Sequence, residues 1–439
     1  MKIRKFWVKG YRSLRDVSLD GLGDFNVFYG PNGSGKSNVL DAMHAFFCVM
    51  PHAVDAAYGP KEERISFREA GRRAAQWIVA EDFNLRGSTD SVELGARIEA
   101  SADSFGGLVF NNAPVEHVEV QVQLTRVRDG EHNLKLSRLL INAQKPGLPF
   151  GDTQIRALLR HLVPSAFAHI GVTRTLGINA DRGGSPSGGR AVSTIPDGEV
   201  ISELFRAKNS RDREIRNRYE QLQAFLSATF RRGRFDVFVD PETSELELRE
   251  LLPEPNPQGL DVRVSRAGHG VVQLYAIVVA ALLSGADLVA MEEPEAHLHA
   301  PTLGRELRQV LRSLVDQPQT QIRQLFIATH SNLFDLDPTG YWDVRLEGGE
   351  TVVERRPLYE MDRHFYEPGP ARHALQQLLR YAPLEEVVFR RPDGQPVSAG
   401  EMLQMLQEDD QTAVDFLNTL HSAALRVVRV AQKKPGSAE

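Results

Sequence analysis

The chain has 439 residues, a net charge of −6, 41% hydrophobic residues and 25% charged residues, which is the make-up of an ordinary soluble protein with two or three domains or one core carrying a large insertion. The mild negative charge provides no global basic field, so any nucleic-acid contact needs a local patch. The single cysteine, Cys48, excludes an intrachain disulfide and suggests a packed thiol, and no apolar run reaches the about 18 residues of a membrane span; no membrane partner and a reducing, cytoplasmic setting are expected.

Met1 to Lys5 lead into an alternating strand rather than the apolar core of a signal. Ile3, Phe6 and Val8 precede a Gly10-Tyr11-Arg12-Ser13 turn, and Val17 and Leu19 alternate after it. Phe25–Tyr29 reads as a short buried strand, and Ser37 to Val49 as a helix with Val39, Leu40, Met43, Phe46 and Phe47 at helical spacing. Between them lies Gly30-Pro31-Asn32-Gly33-Ser34-Gly35-Lys36-Ser37, followed by Asn38. It fits G-x-x-x-x-G-K-[ST], and strand, glycine loop and helix are the context that makes this a phosphate loop rather than a glycine-rich turn. Glycines let successive N–H groups turn inward toward an anion, the helix dipole adds to the attraction, Lys36 reaches the β- and γ-phosphates, and the Ser37 hydroxyl suits Mg²⁺.

After an irregular polar stretch from His52 to Arg73, residues 77 to 143 read as strands: Trp77–Ala80, Val92–Leu94, Val118–Val122 and Leu136–Ile141, with a hairpin signal at Asp129-Gly130. Residues 153 to 162 read as a helix and Phe167 to Val172 as a buried strand. Arg182 to Arg190 is a glycine- and serine-rich loop whose flanking arginines either touch a phosphate backbone or lie in solvent. Asp197 to Ala228 reads as one or two helices. The basic residues from Arg206 through Arg218, with Arg231, Arg232 and Arg234, are either a nucleic-acid patch or a charged face in water. Phe235 to Arg249 reads as a hairpin turning near Asp240-Pro241.

From residue 260 the types and spacings of a nucleotide site return. A helix over 271–283, a strand over 288–291, a helix over 303–314 and a strand over 325–328 form strand–helix–strand with fully apolar strands, the mark of a parallel sheet covered on both faces. The strand Leu288–Met291 ends in Glu292-Glu293-Pro294-Glu295. Beside a phosphate loop, Glu292 would hold Mg²⁺ and Glu293 would polarise an attacking water; away from one, the run would be an acidic helix cap. Ser265 to Gly270 precedes a helix and could cradle an anion. Thr329-His330-Ser331 ends a buried strand, where the histidine either faces a γ-phosphate or is a satisfied strand-end residue. His297 and His299 lack a third partner for a metal. Helices are expected near 370–381, 399–408 and 411–430.

In chain order these pieces resemble the ABC-type ATPases of the SMC, RecF and OLD group. Phe6–Leu14 is similar to the group's first strand and turn, Gly30–Asn38 to its Walker A, Glu292–His299 to the Walker B and following loop of OLD-like ATPases, and Thr329-His330-Ser331 to its switch histidine; Ala300 intervenes before Pro301 where those ATPases usually continue with proline. Ser265–Gly270 resembles the signature loop. The resemblance covers roughly the first 50 residues and 260 to 335. It implies an α/β P-loop NTPase: an ABC-type ATPase head with a mixed sheet, a β-rich lobe and a helical insertion. It implies ATP and Mg²⁺ as cofactors, Asn32, Gly33, Ser34, Gly35, Lys36, Ser37 and Asn38 as nucleotide-binding residues, Ser37 and Glu292 at the metal, and Glu293 and His330 as catalytic residues. Two heads would sandwich two ATP molecules, with Ser265 and Gly268 reaching the γ-phosphate in trans and hydrolysis reopening the homodimer or higher oligomer. Arg12 is expected near the nucleotide, and Gln76 is the first candidate for a Mg²⁺-sensing glutamine.

The expected organisation is 1–150 as an N-terminal ATPase lobe with a β-subdomain, 151–259 as an inserted helical arm and hairpin, 260–350 as the C-terminal ATPase lobe, and 351–439 as a helical extension. OLD proteins often end in a Toprim nuclease, but this tail lacks that domain's Glu-Gly and Asp-x-Asp marks, so no built-in nuclease is expected, and an effector protein such as a nuclease or toxin would be a separate chain. The expected function is an ATP-hydrolysing switch or sensor for such an effector, in antiphage defence. A RecF-like repair ATPase binding DNA and an ATP-stabilised scaffold with negligible turnover are the alternatives.

Overall fold

The computed structural model describes residues 1–58, 65–75, 77–83, 90–99, 109–110, 113–127, 131–143, 167–171, 200–230, 234–239, 246–251, 261–264, 269–296, 301–317, 320–331, 334, 339–357, 375–376, 379, 381–391, 394–407 and 416. Strand β1 (Lys2–Tyr11) turns into β2 (Leu14–Asp20), and β3 (Phe25–Tyr29) feeds the glycine loop and α1 (Lys36–Tyr58). The helix runs nine residues past the Val49 expected from sequence. Pro51 lies inside it and removes one backbone donor, but Ala53, Val54 and Ala56 continue the buried face beyond it, and that packing holds the helix together.

The short helix α2 (Phe67–Ala74) follows, then β4 (Ser91–Glu99), the paired two-residue strands β5 (Val109–Phe110) and β6 (Ala113–Pro114), and the long strands β7 (His117–Arg126) and β8 (His132–Ile141). Strands β2-β1-β4-β7-β8 make one antiparallel sheet. Along β7 buried and half-exposed residues alternate, as a sheet with one covered face requires. The expected strand at Trp77–Ala80 is absent: Trp77 and Ile78 lie in a turn and Ala80–Asp82 is a 3₁₀ turn. Ile78 serves packing instead and is fully buried, while Val79 is exposed.

Then come β9 (Phe167–Ile170), α3 (Val200–Lys208), α4 (Arg213–Phe230), and β10 (Arg234–Val239), β11 (Leu246–Leu251) and β12 (Asp261–Arg263), which form a three-stranded antiparallel sheet. Helix α5 (His269–Ser284), β13 (Leu288–Glu292), α6 (Pro301–Asp316), β14 (Gln324–Thr329), β15 (Tyr341–Glu347) and β16 (Glu350–Arg356) complete this part. The second sheet runs β16-β15-β3-β14-β13-β9, parallel throughout except where β16 pairs with β15. Strands β13 and β14 are apolar and buried nearly end to end, the pattern of a parallel sheet covered on both faces. The β15–β16 hairpin, unforeseen from sequence, closes one side of it.

Helix α1 lies between the two sheets. Its Phe46 and Phe47 are fully buried; Phe46 meets Phe6 of β1 edge-on, while Phe47 stacks on Phe167 of β9 at 5.3 Å. Burying such a ring contributes roughly 1.5–3 kcal/mol, so α1 is fixed from both sides, and with it the loop at its start. The 200–230 stretch docks on α5 rather than projecting: Leu204, Leu222, Phe225 and Leu226 are buried. Part of its basic run is spent internally, since Lys208 pairs with Asp236 at 2.8 Å.

The chain divides into two compact units, Met1–Met361 and Asp362–Glu439. In the second, β17 (Val387–Arg390) and β18 (Pro396–Ser398) form a hairpin leading into α7 (Ala399–Gln407), with Leu379, Val397, Met402 and Leu406 in a small core. Ser398 and Glu401 cap α7 reciprocally. The expected helices at 153–162, 370–381 and 411–430 fall wholly or mostly outside the described residues. No helix among the described residues is long and apolar enough to cross a membrane.

Candidate functional site

The glycine loop leaves the end of β3, and two of its glycines are forced by what lies behind them. A Cβ on Gly30 would meet the Val344 carbonyl of β15 at 2.1 Å, and one on Gly35, whose φ is +100°, would meet Thr351 Oγ1 of β16 at 2.0 Å. Thr351 Oγ1 donates to the Ser34 carbonyl at 3.0 Å, and the Thr351 N–H donates to the Ser13 carbonyl at 2.8 Å. The β15–β16 hairpin and the β1–β2 turn therefore clamp the loop from the rear. Ser34 is buried there, while Asn32, Gly33, Gly35, Lys36, Ser37 and Asn38 line the front, a cavity of about 270 Å³ shared with Glu292, Glu293 and Ala328. The start of α1 points its dipole into this space.

Lys36 Nζ donates to the carbonyls of Gly30 at 2.8 Å and Pro31 at 2.9 Å. Burial pushes its pKa down, opposed by Glu293, Glu295 and Glu292, so the ammonium keeps carboxylates on one side and loop carbonyls on the other. Asn38 Nδ2 donates to Ser13 Oγ and its Oδ1 accepts from Arg12. Arg12, with φ +48° at the β1–β2 turn, also donates to Asp82 at 2.8 Å and to Asp41. It thus stands behind Asn38 and ties the turn to α1.

Across the cavity, β13 delivers its carboxylates. Ser37 Oγ donates to Glu292 Oε2 at 3.1 Å, so residues 255 positions apart in the chain share one point. A hydroxyl and a carboxylate oxygen are hard donors of the kind that a small divalent cation takes. Glu293 sits at φ +41°, an uncommon conformation for a residue with a side chain, typical of functional turns. Its N–H donates to the Ala328 carbonyl at 2.7 Å, and its carbonyl accepts from Ala296 at 2.9 Å; these bonds hold the turn that brings it to the cavity. His330, one residue past β14, places Nδ1 3.5 Å from Glu293 Oε1 and 3.9 Å from Glu295 Oε1. Glu295 is bonded by Thr329 Oγ1, and burial pushes its pKa up.

The structure thus brings Lys36, Ser37, Glu292, Glu293 and His330, each singled out in the sequence, to one place: an ammonium, a hydroxyl–carboxylate contact, a second carboxylate and an imidazole beside it. Ser265 and Gly268 lie outside the described residues, as do Gln76 and the pair His297 and His299. The sequence reading passed over His169 and Asp41. His169 Nε2 lies 3.1 Å from Glu292 Oε1, and its Nδ1 lies 3.6 Å from Asp41 Oδ1. A signal existed: Asp41 is four residues past Ser37, hence on the same helical face, and His169 interrupts an apolar strand.

Residues 1–79 and 198–334 match the family described as AAA ATPase domain, two segments that carry the phosphate loop and the Glu292–His330 side of the cavity. The DNA replication and repair protein RecF of Acinetobacter baylyi is 48% identical over 44 residues, 10% of this chain and 12% of that protein. The RecF protein of Chlorobium luteolum is 30% identical over 95 residues, 21% of this chain and 23% of that protein. The chain spans 12% and 23% of the length of these two curated relatives. Among solved structures, the SMC head domain from Thermotoga maritima has a TM-score of 0.41 at 16% identity, covering 81% of this chain and 99% of that one. The Smc head domain derived from Pyrococcus furiosus, bound to the C-terminal domain of ScpA, has a TM-score of 0.43 at 12% identity, covering 82% and 98%.

Proposed function

We propose that this chain, an ABC-type ATPase of the SMC/RecF kind, is an ATP-driven switch in which two copies close around Mg²⁺–ATP and reopen on hydrolysis. The observation that carries this reading is the contact between Ser37 Oγ and Glu292 Oε2 across a cavity lined by Lys36 and Glu293. Lys36 would meet the β- and γ-phosphates, and the amides of Asn32 to Asn38 would line their oxygens. Ser37 and Glu292 would hold Mg²⁺, which supplies charge neutralisation at the phosphates. Glu293 would orient and deprotonate the attacking water, and His330 would sense the γ-phosphate. Ser265 and Gly268 of the opposing copy would complete the site.

An opening and closing head is suited to commanding another protein, and we assign this chain an effector on a separate chain, a nuclease serving antiphage defence. The test is Glu293→Gln with ATP, followed by light scattering. The closed dimer should persist in the variant and decay in the parent as phosphate is released. A variant that hydrolyses ATP at the parent rate removes Glu293 from its role.

A second reading, a repair ATPase on DNA, is supported by the RecF matches and by the exposed side chains of Arg206 on α3, Arg211 in the link that follows, and Arg213 and Arg216 on α4. Duplex affinity that falls steeply with salt, and is weakened by Arg211→Ala with Arg213→Ala, would favour it.

A further inference from the structure

The carboxylate of Glu292 is divided between two neighbours. Oε2 faces the Ser37 hydroxyl, and Oε1 faces His169 Nε2 at 3.1 Å. Behind the imidazole, Asp41 also splits its oxygens: Oδ2 is held by the Arg12 guanidinium, while Oδ1 is turned toward His169. Asp41, His169 and Glu292 can each offer one ligand atom such that all three atoms lie within 4.8 Å of one another. All three side chains are largely withdrawn from solvent, at 27%, 13% and 15% exposure.

The scaffold under this cluster is stiff. His169 sits on β9 in register with Ala290 of β13, Glu292 ends β13, and Asp41 lies one turn beyond Ser37 on α1. The His169 ring is packed against His44 at 5.7 Å. Each ligand therefore comes from a rigid element, and none comes from a loop.

We propose that Asp41, His169 and Glu292 form a second divalent-cation subsite, adjoining the Ser37 side of Glu292 and sharing that carboxylate, which takes a transition-metal ion of the Mn²⁺ or Zn²⁺ class. Two carboxylate oxygens and an imidazole nitrogen are the donors such ions accept, whereas Mg²⁺ prefers oxygen alone. Ligands around one such ion stand roughly 3–4 Å apart, given metal–ligand lengths of about 2.0–2.2 Å, so small side-chain movements close the set. The inference rests on Glu292 facing the phosphate loop, as in the switch reading, but it does not require bound nucleotide.

The experiment uses the full chain and Mn²⁺ alone, titrated without nucleotide and followed by electron paramagnetic resonance with pulsed detection of ¹⁴N coupling. Bound Mn²⁺ should show imidazole nitrogen. His169→Ala should abolish the coupling and weaken Mn²⁺ binding at least tenfold, while Asp41→Asn weakens binding but keeps the coupling. His330→Ala and Lys36→Ala should leave both intact. Mn²⁺ that binds without nitrogen coupling, or only with ATP, overturns the subsite, as does coupling lost in His330→Ala instead. If His169→Ala does not fold, His169→Gln, which keeps a polar side chain of similar reach but no imidazole, should lose the coupling instead, and coupling retained in it overturns the subsite. Loss of ATP binding in Lys36→Ala with the Mn²⁺ signal unchanged separates this subsite from the nucleotide site, and ATP bound by the parent without nitrogen-coupled Mn²⁺ leaves the switch reading standing while the subsite falls.

Discussion

The six-stranded sheet has two ends, and buried polar groups behave differently at each. Where β3 and β14 begin, they answer one another. Gln324 accepts from the Ile3 N–H at 2.8 Å and donates to the carbonyls of Ile3 at 2.8 Å and Gly23 at 2.6 Å. Asn26 donates to the carbonyls of Gly23 and Leu325. Where β3, β13 and β14 end, the polar groups converge instead on a cavity, and like charges gather there: Glu292 and Glu293 line it with Lys36, and Glu295 acts on the same ammonium. The first arrangement lowers the energy of the folded chain by completing hydrogen bonds that burial would otherwise leave open. The second gathers charge that a ligand can answer, and ligands of open parallel sheets bind at this end.

The sharpest way to break that contrast is to remove one group from each end. At the carboxyl end, Lys36→Ala should weaken ATP binding at least a hundredfold by calorimetry while leaving the denaturation midpoint close to that of the parent, because the side chain is a buried cation whose loss relieves desolvation. Undiminished ATP affinity would mean that the cavity is not a phosphate site. Glu293→Gln comes next. Losing a positioned base costs about 10²- to 10⁴-fold in rate, so turnover should collapse with ATP affinity retained, and the φ of +41° should persist because backbone bonds to Ala328 and Ala296 hold it. At the opposite end, Gln324→Ala should do the reverse. It leaves the Ile3 N–H and carbonyl without their side-chain partner inside the protein, a cost of about 2–4 kcal/mol in urea unfolding, and the folded fraction should bind ATP as the parent does. Equal stability in that variant would show that water reaches the Ile3 groups.

The same contrast explains what could be read from the chain before folding. The phosphate loop is contiguous, so its glycines, lysine and hydroxyl carry their meaning locally. Glu292 and Glu293 were legible because they end an apolar run, and His330 for the same reason. His169 and Asp41 were not, since each is one polar residue in an otherwise ordinary strand or helix, and only the parallel pairing of β9 with β13 brings them to Glu292. The rear clamp was hidden for a further reason. Thr351 gains its role solely through the β15–β16 hairpin, and nothing in Glu350–Arg356 marks a strand that supports a loop more than three hundred residues earlier. The strand reading at Trp77–Ala80 failed because apolar residues there fill a turn that packs on the core, with Trp77 edge-on to His44. Short apolar runs do not distinguish these outcomes.

His44 marks where the chemical end gives way to the core, and it allows the smallest of these effects to be measured. It lies one layer behind His169, its ring 5.7 Å from both His169 and Trp77 and its Nε2 3.6 Å from the Cys48 sulfur. Burial, with His169 adding to it, pushes its pKa down from 6.5 to about 4, and burial pushes the Cys48 thiol up to about 12. The neutral imidazole is therefore the form that the fold accepts. Above pH 6.5 both folded and unfolded chains carry it neutral, and it adds no pH dependence. As pH falls below 6.5 the unfolded chain takes up a proton that the folded chain refuses, so stability declines by up to about 1.4 kcal/mol per pH unit until pH nears 4. His44→Phe keeps a ring against Trp77 and removes the titration. Between pH 7 and pH 5 the variant should gain about 2 kcal/mol on the parent in urea unfolding. Parallel pH profiles would place His44 in contact with water, and the polar layer at this end of the sheet would then reach one residue deeper than its packing indicates.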